Sequence, residues 1–147
     1  IFAREFEKLD SIVQIGVANG RVISLSFPET PEPGASHENE ILDWIDRYLA
    51  GETKAVGEVG IGLTVPTDQR TVLETVRQIP YGEELAFERL VARSPGLDPE
   101  DGGDLEAART ALAENPIPLF VPDHRVIDGP GATPAGIERT FREIEGL

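Results

Sequence analysis

The stretch Asn115-Pro116-Ile117-Pro118-Leu119-Phe120-Val121-Pro122-Asp123-His124-Arg125-Val126-Ile127 sets three prolines in seven residues inside an otherwise apolar run. Proline has no amide hydrogen and crowds the turn before it, so this segment is not helical. A rigid, buried, extended arm is expected. At its end Asp123, His124 and Arg125 stand between apolar Val121 and Val126-Ile127. A carboxylate, an imidazole and a guanidinium are thus delivered together by a stiff segment.

Upstream of the arm the pattern is helical. Thr67 is the expected N-cap of a helix striped by Val72, Leu73, Val76 and Ile79, closed by Pro80-Tyr81-Gly82. Glu84 to Ser94 reads as a second helix with Leu85, Leu90 and Val91 inward. The acidic loop Pro95 to Asp104 follows, and Asp104 is the expected cap of a short helix from Leu105 to Ala113. Two helices joined by a turn and feeding a fixed segment have a helix-turn-helix outline. After the arm, Thr133 is the expected cap of a last helix, Ala135 to Ile144, with Pro134 at its first position.

Toward the start the pattern changes to strands. Ile12 to Val17 and Val22 to Phe27 flank Ala18-Asn19-Gly20-Arg21, and Asn-Gly supplies the positive φ angles of a tight hairpin. Pro28 to Gly34 is a loop. Ser36 is the expected cap of a helix with Ile41, Leu42, Ile45, Tyr48 and Leu49 on one face, stopped by Gly51, and Val56 to Leu63 reads as a third strand. The expectation is an α+β fold. Residues 1–64 form a small sheet-plus-helix unit, and residues 65–147 form a mainly helical, winged-helix-like unit.

Composition narrows the chemistry. The chain has 147 residues, no cysteine and only His37 and His124 as imidazoles. Disulfides, thiolate nucleophiles and thiolate metal sites are excluded; neither a structural metal nor a cofactor is expected. No Gly-x-Gly-x-x-Gly or Walker motif supports a nucleotide fold. No apolar run has the length of a membrane helix and no leader pattern opens the chain, so a soluble, cytoplasmic protein without a membrane partner is expected. The net charge is −14, from 27 acids and 13 bases. With arginine far outnumbering lysine, this acid-rich balance points to a salt-rich cytoplasm, a halophilic setting in which acidity does not by itself exclude nucleic acid.

Thr71-Val72-Leu73-Glu74-Thr75-Val76-Arg77-Gln78-Ile79-Pro80-Tyr81-Gly82-Glu83, followed by Asn115-Pro-Ile-Pro and Pro122-Asp-His-Arg-Val126, resembles the C-terminal domain of the O6-alkylguanine-DNA alkyltransferases. Their signature is Pro-Cys-His-Arg-Val. The resemblance covers most of residues 66–147 and implies a ribonuclease-H-like N-terminal unit before it. In that family a thiolate takes an alkyl group from a guanine flipped out of duplex DNA. Asp123 matches the acceptor cysteine, His124 the histidine that helps deprotonate the thiol, Asn115 the hinge asparagine and Glu145 the glutamate that orients the histidine. The alternative for His124 is a purely structural pairing with Asp123 or Glu145, and for Arg125 a structural ion pair.

Among DNA-contact positions, the resemblance places the arginine finger on Glu106, with Arg109 one turn later, the phosphate-rotating tyrosine on Phe87 and a basic position on Ala113; Arg125 is carried with this set. These departures imply an alkyltransferase-like protein that binds alkylated DNA without repairing it. Its expected partners are duplex DNA with O6-alkylguanine and another repair protein, and it is expected to be a monomer. Two further readings are a protein-interaction scaffold that has lost DNA binding, and a hydrolase using Asp123 with His124.

Overall fold

A computed structural model describes all 147 residues. Three antiparallel strands open the fold in the order β1 (Phe2–Phe6), β2 (Ser11–Ala18), β3 (Arg21–Ser26). The β2–β3 turn is the expected one, with Asn19 at φ 53° and Gly20 at φ 74°, both positive as a two-residue hairpin of this hand requires. β1 pairs with β2 from Phe2 opposite Ile15 to Phe6 opposite Ser11, burying Ala3 and Phe6. This strand takes the third place expected for Val56 to Leu63.

That expectation is corrected. Residues 56–58 lie in turns and 59–63 are irregular, pairing with the sheet at the Val22–Ile61 bridge, where the Val22 amide donates to Gly60 and Gly62 donates back to Val22 (3.0 and 2.9 Å). Gly57, Gly60 and Gly62 supply no side chains for cross-strand pairs and lose most entropy on extension, so the ladder does not propagate.

Helix α1 (Glu40–Leu49) packs Leu42, Ile45, Tyr48 and Leu49 inward, and its cap is Asn39 rather than Ser36, the Asn39 carboxamide oxygen accepting from the Ile41 amide at 2.7 Å. α2 (Thr67–Arg77) follows as expected, though Thr67 is its first residue and Pro66 holds the cap position. The expected helix from Glu84 begins later. Leu85–Ala86 form β4, which pairs in parallel with β5 (Val126–Ile127) beyond the arm, and α3 runs Phe87–Arg93. α4 (Gly102–Ala113) begins two residues before Asp104, because Asp101 caps it, accepting from Gly103 and Asp104. α5 spans Ala135–Glu145, with Pro134 in the cap position and no side chain capping it, and Gly146 ends it at φ 79°. The apolar core is one cluster running from Phe6 to Phe141, shared by sheet and helices.

The arm is buried, with Ile117, Leu119, Phe120 and Val121 all inside, but it is not extended. It doubles back at Leu119-Phe120, where Leu119 takes φ 75° and the Val121 amide returns to the Ile117 carbonyl at 2.8 Å. A leucine at positive φ is a strained residue held by its surroundings. Pro122, at φ −80° and ψ 73°, then centres an inverse γ-turn closed by Asp123 N–H to Val121 C=O at 2.8 Å. The proline ring fixes that φ, and the chain enters a single 3₁₀ turn, Asp123–Arg125. Neighbours hold the arm on both sides: Leu25 of β3 donates to Pro116, and the Arg77 guanidinium donates to Phe120 at 3.0 Å.

Candidate functional site: a buried charge cluster at the end of the arm

The three groups ending the arm separate into two networks. Asp123 is one. Its Oδ2 accepts from Asn115 Nδ2 at 3.1 Å and from the Ala132 amide at 2.9 Å, while Oδ1 accepts from Thr133 Oγ1 at 2.6 Å. Gly131 lies against it so closely that an added Cβ would sit 3.2 Å from Asp123 Cγ. The carboxylate is therefore enclosed by the loop before α5, not open at the floor of a pocket. Thr133, expected as a helix cap, serves this network instead. Asn115 holds the other end: its Oδ1 accepts from Ile117 N–H, and its Nδ2 also donates to Val121.

His124, Arg125 and Glu145 make the second network. His124 Nε2 and Glu145 Oε2 are 2.5 Å apart; Arg125 binds Glu145 through Nε at 2.7 Å and Nη2 at 3.1 Å, a two-pronged fit suited to a planar guanidinium. Its Nη1 donates to the Ile79 carbonyl, and the Gly82 amide donates to Glu145. Tyr48 of α1 adds its hydroxyl to Glu145 Oε2 at 2.5 Å. Glu145 thus receives from four residues drawn from three separate stretches of sequence. Burial works to raise its carboxyl, but the hydrogen bonds from His124 and Arg125 prevail and hold it at about 2. Burial and the neighbouring Glu145 charge push the Tyr48 phenol far up, so it remains a donor.

His124 Nδ1 is buried and has no hydrogen-bond partner, the only such side-chain atom. Asp123 and His124, adjacent in sequence, do not bond each other. Their separate partners remove the geometry an acid-base pair needs. Arg125, carried among the DNA-contact positions, is 7% exposed and spends its donors on Glu145 and Ile79, which takes it off the surface.

The remaining positions lie on α3 and α4. Phe87 is buried rather than exposed, with Gly129 pressed against its ring and the Arg109 guanidinium 5.3 Å above it. Glu106 is exposed and sits 3.7 Å from Arg109, which partly offsets it. Ala86, Phe87, Glu88, Leu105, Arg109 and Asp128 line an open pocket of about 360 Å³. Ala113 is exposed at the end of α4. The acids of the preceding loop partly consume themselves: Asp98 accepts from Glu100, Asp104 from Asp98, and Asp101 caps α4. No cluster of ligating side chains is arranged for a metal.

Comparison with known proteins places this geometry in context. Residues 67–140 match the model of the 6-O-methylguanine DNA methyltransferase DNA-binding domain. The chain is similar to a methylated-DNA–protein-cysteine methyltransferase of Methanopyrus kandleri, 33% identical over 69% of this chain and 76% of that one. One from Metallosphaera sedula is 27% identical over 86% and 81%. In fold it resembles Mycobacterium tuberculosis OGT, solved in complex with DNA, at TM-score 0.75 and 24% identity over 99% of this chain and 92% of that one. The Pyrococcus kodakaraensis O6-methylguanine-DNA methyltransferase gives 0.67 at 20% identity over 99% and 98%.

Proposed function

This chain belongs to the 6-O-methylguanine DNA methyltransferase family, and from that membership we propose that it binds duplex DNA carrying O6-alkylguanine without accepting the alkyl group. In this reading residues 65–147 carry DNA and residues 1–64 buttress them. The observation that carries the absence of transfer is Asp123: it stands where the resemblance puts the acceptor, and both its oxygens are engaged by Asn115, Ala132 and Thr133. Alkyl transfer needs a soft, exposed nucleophile; a hydrogen-bonded carboxylate is a poor one, and the chain has no cysteine to replace it. His124 and Glu145 then maintain the arm's shape instead of activating a thiol.

Contact with DNA is assigned to α3 and α4. Arg109, exposed beside Phe87, is the cation nearest the pocket, and the M. tuberculosis relative solved with DNA has the same fold. The protein acts as a monomer and, lacking transfer chemistry, leaves the lesion to another repair protein. Its acid-rich surface suits a salt-rich cytoplasm, where the screening length falls to about 3 Å at 1 M salt.

The test is a titration of fluorescent duplexes with and without O6-methylguanine, repeated from low to molar potassium chloride. Tighter binding of the lesion duplex, weakened by Arg109→Ala, is expected; equal affinities at every salt concentration would sink the lesion reading. Mass spectrometry after incubation with the lesion duplex is expected to show an unmodified chain, and a retained alkyl group on Asp123 would refute the absence of transfer.

A further inference from the structure

We infer that the groove between the β2–β3 hairpin, residues 61–64 and the outer face of α2 binds a phosphate group. It has a volume of about 570 Å³, and three arginines, Arg21, Arg70 and Arg77, line it against a single acid, Glu74. The chain carries more than twice as many acids as bases, 27 to 13, so a groove with a local excess of two positive charges runs against its composition.

The pairing of these arginines is what points to an anion. Arg77 is half-buried, and burial lowers the affinity of its guanidinium for its proton. A desolvated cation normally finds a carboxylate, yet the two hydrogen bonds of Arg77 go to neutral carbonyls, Phe120 at 3.0 Å and Val59 at 2.8 Å, and it has no ion-pair partner. Arg21 is exposed at the hairpin and is also without a carboxylate. Arg70 donates to Leu63 C=O at 2.7 Å and meets Glu74 only loosely, at 3.8 Å along one helix turn, an exposed pair worth little.

The amides of Leu63 and Thr64 make no backbone hydrogen bond. The groove therefore combines three guanidinium groups with unspent backbone donors, and a tetrahedral oxyanion accepts from both kinds. The carbonyls that hold Arg77 and Arg70 fix their positions before an anion arrives. None of the lining residues belongs to α3 or α4, so the site is separate from the proposed DNA face and does not depend on that reading.

The test is a two-dimensional amide NMR titration of the full chain with inorganic phosphate, at ionic strength held constant by chloride. Saturable shifts confined to residues 61–64 and to α2 are expected. Affinity is expected to fall at least about tenfold in the Arg21→Ala/Arg70→Ala variant. Both substitutions are at exposed positions, and the spectrum itself reports whether the fold is kept. Lys54→Ala, an exposed cation outside the groove, is expected to change nothing. Absence of saturation, shifts spread over the surface, or equal loss in Lys54→Ala would overturn the proposal. A parallel titration with unmodified duplex DNA identifies the source. Shifts of the same amides that phosphate competes away assign a backbone phosphodiester, whereas their absence alongside saturable phosphate binding assigns a free or small-molecule phosphate.

Discussion

Glu145 is the residue on which the buried charges converge, and its removal tests that convergence. Glu145→Gln keeps the shape but leaves the Arg125 charge enclosed without its counter-ion, a loss of about 3–5 kcal/mol in urea unfolding. Because the folded carboxyl titrates near 2 rather than 4.5, its stabilisation is complete above the unfolded value and is lost as pH falls from about 5 toward 2. The acid limb of a stability–pH curve is therefore expected to flatten in the variant. Tyr48→Phe keeps the edge-on ring contacts with Phe141 and Tyr81 but loses the hydroxyl donor, at a cost of about 1.5–3 kcal/mol. Its raised phenol makes the parent, not the variant, lose stability as pH rises past the ordinary value of 10. Asp123→Ala strands the Asn115, Ala132 and Thr133 donors, for about 1–3 kcal/mol. Asp123, His124 and Arg125 stand out in the sequence as a polar group ending an apolar arm, whereas Asn115 and Glu145 are singled out only by the family resemblance, and the enclosure of Arg125 by Glu145 and Ile79 is not written in the motif. Thr133 and Tyr48 were not legible: Thr133 looked like a helix cap, and nothing local in a helix stripe distinguishes a tyrosine whose hydroxyl meets a residue 97 positions away.

Among the elements, those with long apolar periodicity were readable and those with short pairings were not. The stripes of α1 and α2 and the Thr-Pro start of α5 place them to within a few residues, whereas two-residue β4 and β5 pair across 41 positions and have no periodicity to betray them. Their pairing also explains why the helix expected from Glu84 starts only at Phe87. Cap choice failed for a related reason: Ser36, Thr67, Asp104 and Thr133 all have capping chemistry, but tertiary contacts decide which side chain faces the first free amides. Asp101→Ala is expected to destabilise α4 by about 1 kcal/mol, seen as a lowered unfolding midpoint, while Asp104→Ala leaves the cap itself intact. The arm's prolines correctly excluded helix. Its reversal at Leu119 was hidden, since a leucine gives no warning of positive φ.

Over the whole molecule the sheet, α1 and the later helices share one core, and Leu25, Pro116 and Tyr48 tie the two ends of the chain together. Unfolding is therefore expected to be a single transition. Trp44 fluorescence, reporting on α1, and far-ultraviolet circular dichroism should give the same urea midpoint; separated midpoints would mean that the first 64 residues melt independently. The same connection bears on dissection of the gene. A fragment starting at residue 65 carries Glu145, His124 and Arg125 but not the phenol that donates to them, and it exposes the side of α5 on which Tyr48 rests. Water would then reach a charge cluster assembled to be dry. The helical half expressed alone is thus a poor surrogate for the intact chain, and a split-protein pair that restores α1 in trans should recover what the fragment lacks.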